Sequence, residues 1–219
     1  MEVWNIEIKS DMQYVTNLEG FSEALEPLCA AEDFLQNPAL VKRTFSRIFN
    51  EGHRIKHPEL VPKRVTSYHP KTARKRNSDI THLNSGAWGV SNKVRDIVEA
   101  LDPDAHQFFP LDITYSDGTK PPLQYSLMNV HRKIEAVDFQ RSEENGMQFK
   151  EVNSYRPYRQ WTPMPGLVFR RSVVENKHLW MEPGTPRLRF ASGELITAFQ
   201  KAKVTGFGLR GPFPVSVAS

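Results

Sequence analysis

The stretch Gly86–Ile113, GAWGVSNKVRDIVEALDPDAHQFFPLDI, decides how the rest of the chain is read. Ser91 is a natural N-cap, its hydroxyl free to accept from a backbone N–H two or three residues on. Val94, Ile97, Val98 and Leu101 follow at i, i+3, i+4 and i+7, one apolar stripe of an amphipathic helix. Lys93, Arg95, Asp96 and Glu99 take the other faces. Asp102-Pro103 stops the helix, because a ring-locked φ and a missing N–H cannot extend the ladder. His106-Gln107-Phe108-Phe109-Pro110 then enters an aromatic strand whose two adjacent phenylalanines need cover from water. Nothing here resembles a reaction centre. The stretch reads as a folding nucleus that also positions His106 and Gln107.

Outward from it the patterning is mixed. Val3–Ile8 alternates, with Trp4, Ile6 and Ile8 on one face, and predicts a half-buried strand with one wet side. Asn37-Pro38 reads as N-cap plus N1 proline of a helix striped by Val41, Phe45, Ile48 and Phe49 and closed by Gly52. Leu111–Tyr115 and Leu123–Val130 predict two strands joined across Asp117-Gly118. Ala136–Phe139 is a candidate short strand, Ser142–Gly146 a polar turn, and Tyr155–Gly166 a proline-fixed surface loop.

Near the end the central pattern recurs. Arg187–Phe190 is a strand candidate, Ser192 a second cap, and Leu195, Ala198, Phe199 and Ala202 repeat the stripe 101 positions after the first. Gly206 closes that helix, and Lys201 and Lys203 suit its dipole. Strand-cap-helix units are common, so the echo leaves duplication open. These elements predict an α+β fold, with mixed or antiparallel sheets and a few packed amphipathic helices. The expected division is a variable α/β part over 1–85 carrying a basic segment, and an α+β part over 86–219 packed as one unit.

With 219 residues, 39% of them hydrophobic and 25% charged, the chain can bury a sizeable core. Its apolar runs are too short for a membrane span. The opening MEVWNIEIKS lacks the apolar stretch of a secretory signal, and a single Cys29 excludes an intrachain disulfide, so a cytoplasmic protein is expected. Cys29 stands in LCAAEDF, an apolar setting that suits a packed thiol better than a nucleophile.

Net charge is +4, and most of the excess lies between His53 and Arg76. Arg54, Lys56, Lys63, Arg64, Lys71, Arg74, Lys75 and Arg76 there face only Glu59. That segment is either a solvated face or a surface for an acidic partner or phosphate. Only Tyr68 is interleaved, which supplies few stacking platforms for bases. Gly206-Phe207-Gly208-Leu209-Arg210-Gly211 matches the dinucleotide motif letter for letter, but it follows a helix and runs into Pro212-Phe213-Pro214. It reads as a helix stop and a closely approached strand. His53 and His57 are spaced i, i+4 with His69 near, yet Pro58 breaks helical geometry and no acidic or Cys pair completes a metal set. Asp102, Asp104 and Asp112 serve as well for caps and turns as for a cation. No cofactor, metal or catalytic residue is assigned, although an enzyme using His106, Asp104 and Asp112 is a minor alternative.

Several spaced blocks carry a family likeness. They are Trp88-x-x-Ser91-x-Lys93-Val94-x-Asp96, Asp102-Pro103-x-x-His106-Gln107-Phe108-Phe109-Pro110, Asp117-Gly118, and Tyr125-x-Leu127-x-Asn129-Val130 followed by Glu135-Ala136-Val137-Asp138. His178-Leu179-Trp180 and Phe190-x-Ser192-x-x-Leu195-x-x-Ala198-Phe199-x-x-Ala202, ending at Gly206, complete them. Over Ala87–Leu209 the chain resembles immunity protein family eleven of bacterial polymorphic-toxin systems. Gly193 and Met181 depart from the pattern, where an acidic and a basic residue are usual.

The resemblance implies a cytoplasmic antidote in interbacterial competition that neutralises a cognate toxin, encoded by the adjacent gene, by tight stoichiometric binding and active-site occlusion. It brings no catalysis, no cofactor and no membrane, and leaves the oligomeric state open. Trp88, Ser91, His106, Gln107, Phe108, Phe109, His178, Trp180 and Ser192 read as structural motif residues. Toxin contact is expected at Arg54, Lys56, Arg74, Lys75 and Arg76, and at Tyr155, Arg156, Tyr158, Arg159 and Trp161, a composition typical of binding hot spots. The loop bearing the last five is equally consistent with packing on its own domain. A nucleic-acid-associated protein using the basic 54–76 segment is the alternative from another class.

Overall fold

Ser91 ends one strand and begins the next helix, and the same junction is built again at Ser192. A computed structural model describes residues 1–9, 18–19, 21–31, 48–67, 77–83, 86–147, 150–151, 159–160, 166–183 and 188–216. The first part of the chain forms β1 (Val3–Ile8), β2 (Leu18–Glu19), α1 (Phe21–Ala24), α2 (Glu26–Ala31), β3 (Arg64–Ser67) and β4 (Ile80–His82). The middle forms β5 (Trp88–Ser91), α3 (Asn92–Leu101), β6 (Gln107–Tyr115), β7 (Tyr125–Asn129), α4 (Phe139–Glu144), β8 (Lys150–Glu151) and β9 (Arg159–Gln160). The last part forms β10 (Phe169–Arg170), α5 (Arg171–Val174), β11 (Leu179–Trp180), β12 (Arg189–Ser192), α6 (Gly193–Lys201), β13 (Phe207–Phe213) and β14 (Val215–Ser216).

The fold is α+β. One sheet runs β2-β3-β6-β7-β5-β4, antiparallel except where β3 pairs parallel to β6. A second runs β11-β12-β1-β13, all antiparallel, and β14 continues beyond β13 to pair parallel with β10. Three apolar clusters separate these layers. Phe21, Leu25, Leu28 and Cys29 from α1 and α2 pack with Leu111 and Leu127 of the large sheet. Val94 and Val98 of α3 and Leu195, Ile196 and Phe199 of α6 meet Ile6, Trp88 and Met128, so both helices fill the space that both sheets face. Burying each such aliphatic side chain contributes roughly 1.5–3 kcal/mol. Val3, Phe169, Trp180, Phe190 and Phe213 form the third cluster, with the rings of Phe169 and Phe190 5.0 Å apart.

The two sheets repeat one arrangement. The order β3-β6-β7-β5-β4 matches β10-β14/β13-β1-β12-β11, and the helix follows the equivalent strand in each. The register repeats as well. Trp88 opposes Met128 and Phe108 opposes Met128; 101 positions later Arg189 opposes Ile6 and Leu209 opposes Ile6. A register shift between Val3 and Asn5 moves the offset by one, so Leu111 opposite Tyr125 corresponds to Phe213 opposite Val3. The chain order differs in one respect. β7 follows β6 directly, whereas its counterpart β1 comes from the start of the chain.

Several expectations need correction. β1 is wet on its second face only toward its end: Val3 joins the Phe169 cluster, where β10 and β11 cover it, and Asn5 is buried, while Glu7 stays half-exposed and pairs with Arg210 at 3.0 Å. Asn5 donates from Nδ2 to the Arg189 carbonyl at 2.9 Å. Ala136–Phe139 is not a strand. Only Val137 bridges to Phe169, and Asp138 instead caps α4 through the Arg141 N–H. Ser142 therefore lies in a helix rather than a polar turn, its buried hydroxyl accepting from Val168 N at 2.9 Å. β6 begins at Gln107 and absorbs Pro110, four residues before the expected strand. The second strand of that pair is shorter than expected, Tyr125–Asn129. Of the helix expected after Asn37-Pro38, Asn37–Arg47 lies outside the described residues; 48–50 are helical, and His53 N bonds Ile48 O past Gly52 at φ +63°.

Candidate partner-binding surface

Each helix start is tied to the strand that precedes its own sheet neighbour. Ser91 N donates to Asp79 O at 2.8 Å, and Ser192 N donates to His178 O at 3.0 Å. The side chains then diverge. Ser91 gives its hydroxyl hydrogen to the Asp79 carboxylate at 2.8 Å and makes no cap bond to α3, contrary to the expectation for that serine. Ser192 does cap α6, accepting from Leu195 N at 3.2 Å, and its hydroxyl meets His178 Nδ1 at 3.0 Å. Lys93 pairs with Asp79 at 3.2 Å; 101 positions later Glu194 approaches His178 at 3.8 Å. The same frame thus carries opposite charges at the two helix starts.

Burial alone would raise the Asp79 carboxyl. Hydrogen bonds from Ser91, from Thr205 N and Oγ1, and from Lys93 outweigh it and hold the group below the usual carboxylate range. Those Thr205 bonds cross from the end of α6 to the start of β4. The reverse crossing is made by Asp102 at the end of α3, whose Oδ2 accepts from His178 N and Leu179 N at 3.0 and 2.8 Å. Each helix tail therefore holds the first residues of the opposite sheet's edge strand.

Asp102 is also the centre of a buried polar cluster. Its other oxygen meets Arg132 Nη1 at 2.5 Å, and His106 Nε2 stands 3.8 Å from Oδ2. Burial opposes ionisation, but His106, Arg132 and the Leu179 N–H bring its pKa down to about 2. His106 is itself buried and held below its ordinary value chiefly by desolvation. His131, edge-on to it at 6.2 Å, is lowered to about 4 by burial and then by the nearby cations. Gln107 aims outward from the same turn and clamps Ile55 through both its N–H and C=O at 2.8 Å.

Two grooves open beside the helix starts. One, of about 500 Å³, lies against the first turn of α3, β6 and the entry to β7. The other, about 400 Å³, lies against α6 and α5 and reaches Glu2 and His178. Ser192, His178 and Glu194 in the second are types a hydrolytic triad uses. The same imidazole nitrogen faces both partners, however, whereas a relay needs one nitrogen for each.

The expected contact residues are only partly placed. Arg54 and Lys56 are exposed on the segment leading to the 3-10 turn at Pro58–Leu60. Arg74, Lys75, Arg76, Tyr155, Arg156, Tyr158 and Trp161 lie outside the described residues, as does His69. Arg159 is in β9, paired with β8, with its side chain undescribed. The motif residues Trp88, Ser91, His106, Trp180 and Ser192 are buried. Phe108 and Phe109 are half-buried on opposite faces of β6, in different clusters. His53 and His57 turn to different carboxylates, Glu51 at 3.1 Å and Glu59 at 3.2 Å. Among the described residues no three His, Cys, Asp or Glu are grouped to hold a metal ion, and no helix is long and apolar enough to cross a membrane. Sequence reasoning missed Asp79 and Arg189: Asp79 combines Ser91 and Lys93 with the distant Thr205, and Arg189 bonds carbonyls more than a hundred positions away.

A family model described as an immunity protein family (Imm11) matches residues 20–211. The match begins well before the Ala87 where the motif blocks start, and so takes in α1, α2, β3 and β4. No curated protein matches the chain.

Proposed function

Since the chain belongs to the Imm11 immunity protein family, we propose that it protects its cell by binding one cognate toxin in a stoichiometric complex. The toxin's active cleft is covered, and no substrate is turned over. The match across 20–211 is the observation that carries this reading. The fold supports it physically: both sheets and the helices α3 and α6 are cross-braced, so a surface built on them loses little entropy on docking. Arg54 and Lys56, with Arg74, Lys75, Arg76, Tyr155, Arg156, Tyr158, Arg159 and Trp161, are the contact residues we assign from composition. The partner is the product of the adjacent gene, met in the cytoplasm.

Co-expression of that gene with this chain tests the reading. The expected result is survival, a single one-to-one peak on gel filtration, and an interface near ~1,600 Å² in a structure of the complex. Continued killing with no complex would overturn it. Protection at a small fraction of an equivalent would instead point to turnover.

A further inference from the structure

We propose that the groove beside the start of α3 is the seat of an acidic, partly apolar segment of the toxin; this rests on the immunity reading and names its surface. The groove, about 500 Å³, has Lys63, Arg95 and Lys120 on its walls and Asp112 as its lining carboxylate. Lys120 meets Asp112 at 2.6 Å. Arg64, opposite Asp112 in the β3–β6 register, adds to the positive field that holds this carboxyl below its usual range, with Lys120 the larger influence. Arg95 is shared with Asp96 at 3.0 Å and Glu99 at 3.5 Å on the outer face of α3. Lys63 is exposed and has no ion pair among the described residues. Cations thus exceed carboxylates on the walls, while Pro121 and Leu123 supply apolar surface beside them.

The groove at α6 and α5 gives the contrast. It is lined by Glu2, Glu175 and Glu194, balanced by Arg171, Lys177 and the Met1 amine, and α6 carries an acid in its first turn where α3 has none. The first groove therefore carries a cationic excess that the second lacks. An acidic segment is attracted to the first and gains nothing from the second, the kind of complementarity that steers association. The occupant is a protein segment rather than a nucleic acid strand because the lining ring, Tyr125, is buried and offers no face for a base to stack on.

The test uses a double reversal in this groove, Lys63→Glu with Lys120→Glu, and a control reversal in the other, Arg171→Glu with Lys177→Glu. Matched thermal unfolding shows that both variants fold. The first probe is a short fluorescein-labelled peptide of alternating Glu and Leu at about 50 mM salt, where screening is weak. Wild type and control bind it, and the groove variant binds at least tenfold more weakly. No binding by wild type, or equal weakening in the control, overturns the proposal. A single-stranded oligonucleotide that binds more tightly than the peptide overturns the assignment to a protein segment.

The second probe is the toxin itself. The groove variant associates about tenfold more slowly, with a flatter salt dependence. Unchanged association of that variant overturns the groove and leaves the immunity reading standing. Failure of wild type to bind the toxin overturns the immunity reading, and the peptide still decides the groove.

Discussion

Arg189 holds its guanidinium 4.5 Å from the centre of the Trp88 ring, and the two residues occupy the same place in the two repeated arrangements. Each is the first residue of the strand that runs directly into a helix, α3 or α6. A charge is therefore buried where the two sheets meet, against a ring face and against the carbonyls of Phe49 and Gly86 at 3.0 and 3.2 Å. Desolvation alone lowers this guanidinium, to about 9, still charged at neutral pH. Arg189→Ala strands both carbonyls and leaves a void, so we expect a loss of roughly 3–5 kcal/mol. Arg189→Lys should cost less. Urea midpoints of the two variants check the order.

Asp102 joins the end of α3 to the start of β11. Its pKa of about 2 lies below the ordinary 3.8, so its folded form prefers the carboxylate. The stability this contributes is fully present above pH 3.8 and is lost as pH falls toward 2. A shift of this size corresponds to about 2 kcal/mol. Asp102→Asn should remove about that much at pH 7 and almost nothing at pH 2, as read from denaturation at each pH.

His106 and His131 work in the same direction at milder acidity. Both are held neutral by burial, so the unfolded chain binds protons that the folded chain refuses. Their contribution is complete above pH 6.5 and declines as pH falls below it, for His131 toward 4. His131→Gln should flatten the curve of Tm against pH in that window, and an unchanged slope would remove His131 from the account.

Glu182 works the opposite way. Burial raises it to about 7, against the pull of the Ala136 and Val137 N–H groups that its carboxylate accepts. Stability from this group is present below pH 4.5 and falls as pH rises through 7. Glu182→Gln should lose less stability than wild type between pH 5 and 8, within about 1 kcal/mol, by chemical denaturation.

Gly206 and Gly118 both have positive φ, +94° and +81°, but differ in their surroundings. A Cβ at Gly206 would lie 2.0 Å from the Ile80 carbonyl oxygen, while at Gly118 it would meet nothing. Gly118→Ala should cost about 1 kcal/mol, the conformational penalty alone. Gly206→Ala should cost several-fold more, because it pushes α6's tail off β4. Equal costs would show that backbone strain, not the contact, matters there.

The sequence by itself determined the pieces whose causes are local. The i, i+3, i+4 stripes of α3 and α6, the Asp102-Pro103 stop, the Gly52 and Gly118 turns and the β1 alternation all depend on neighbours within about seven positions. The likeness between the Ser91 and Ser192 units was visible for the same reason. Only the tertiary structure decided what those pieces face. β1 looked like a strand with one wet side, which holds only toward its end, and its place between β12 and β13 is set by pairings some two hundred residues away. Ser91 had every local qualification for a cap, yet its hydroxyl donates to the buried Asp79 carboxylate just before β4, a strong charge-assisted bond, and makes no cap bond to α3. The opposite charges at the two helix starts, which single out one groove, became comparable only once the fold laid the two arrangements on the same frame.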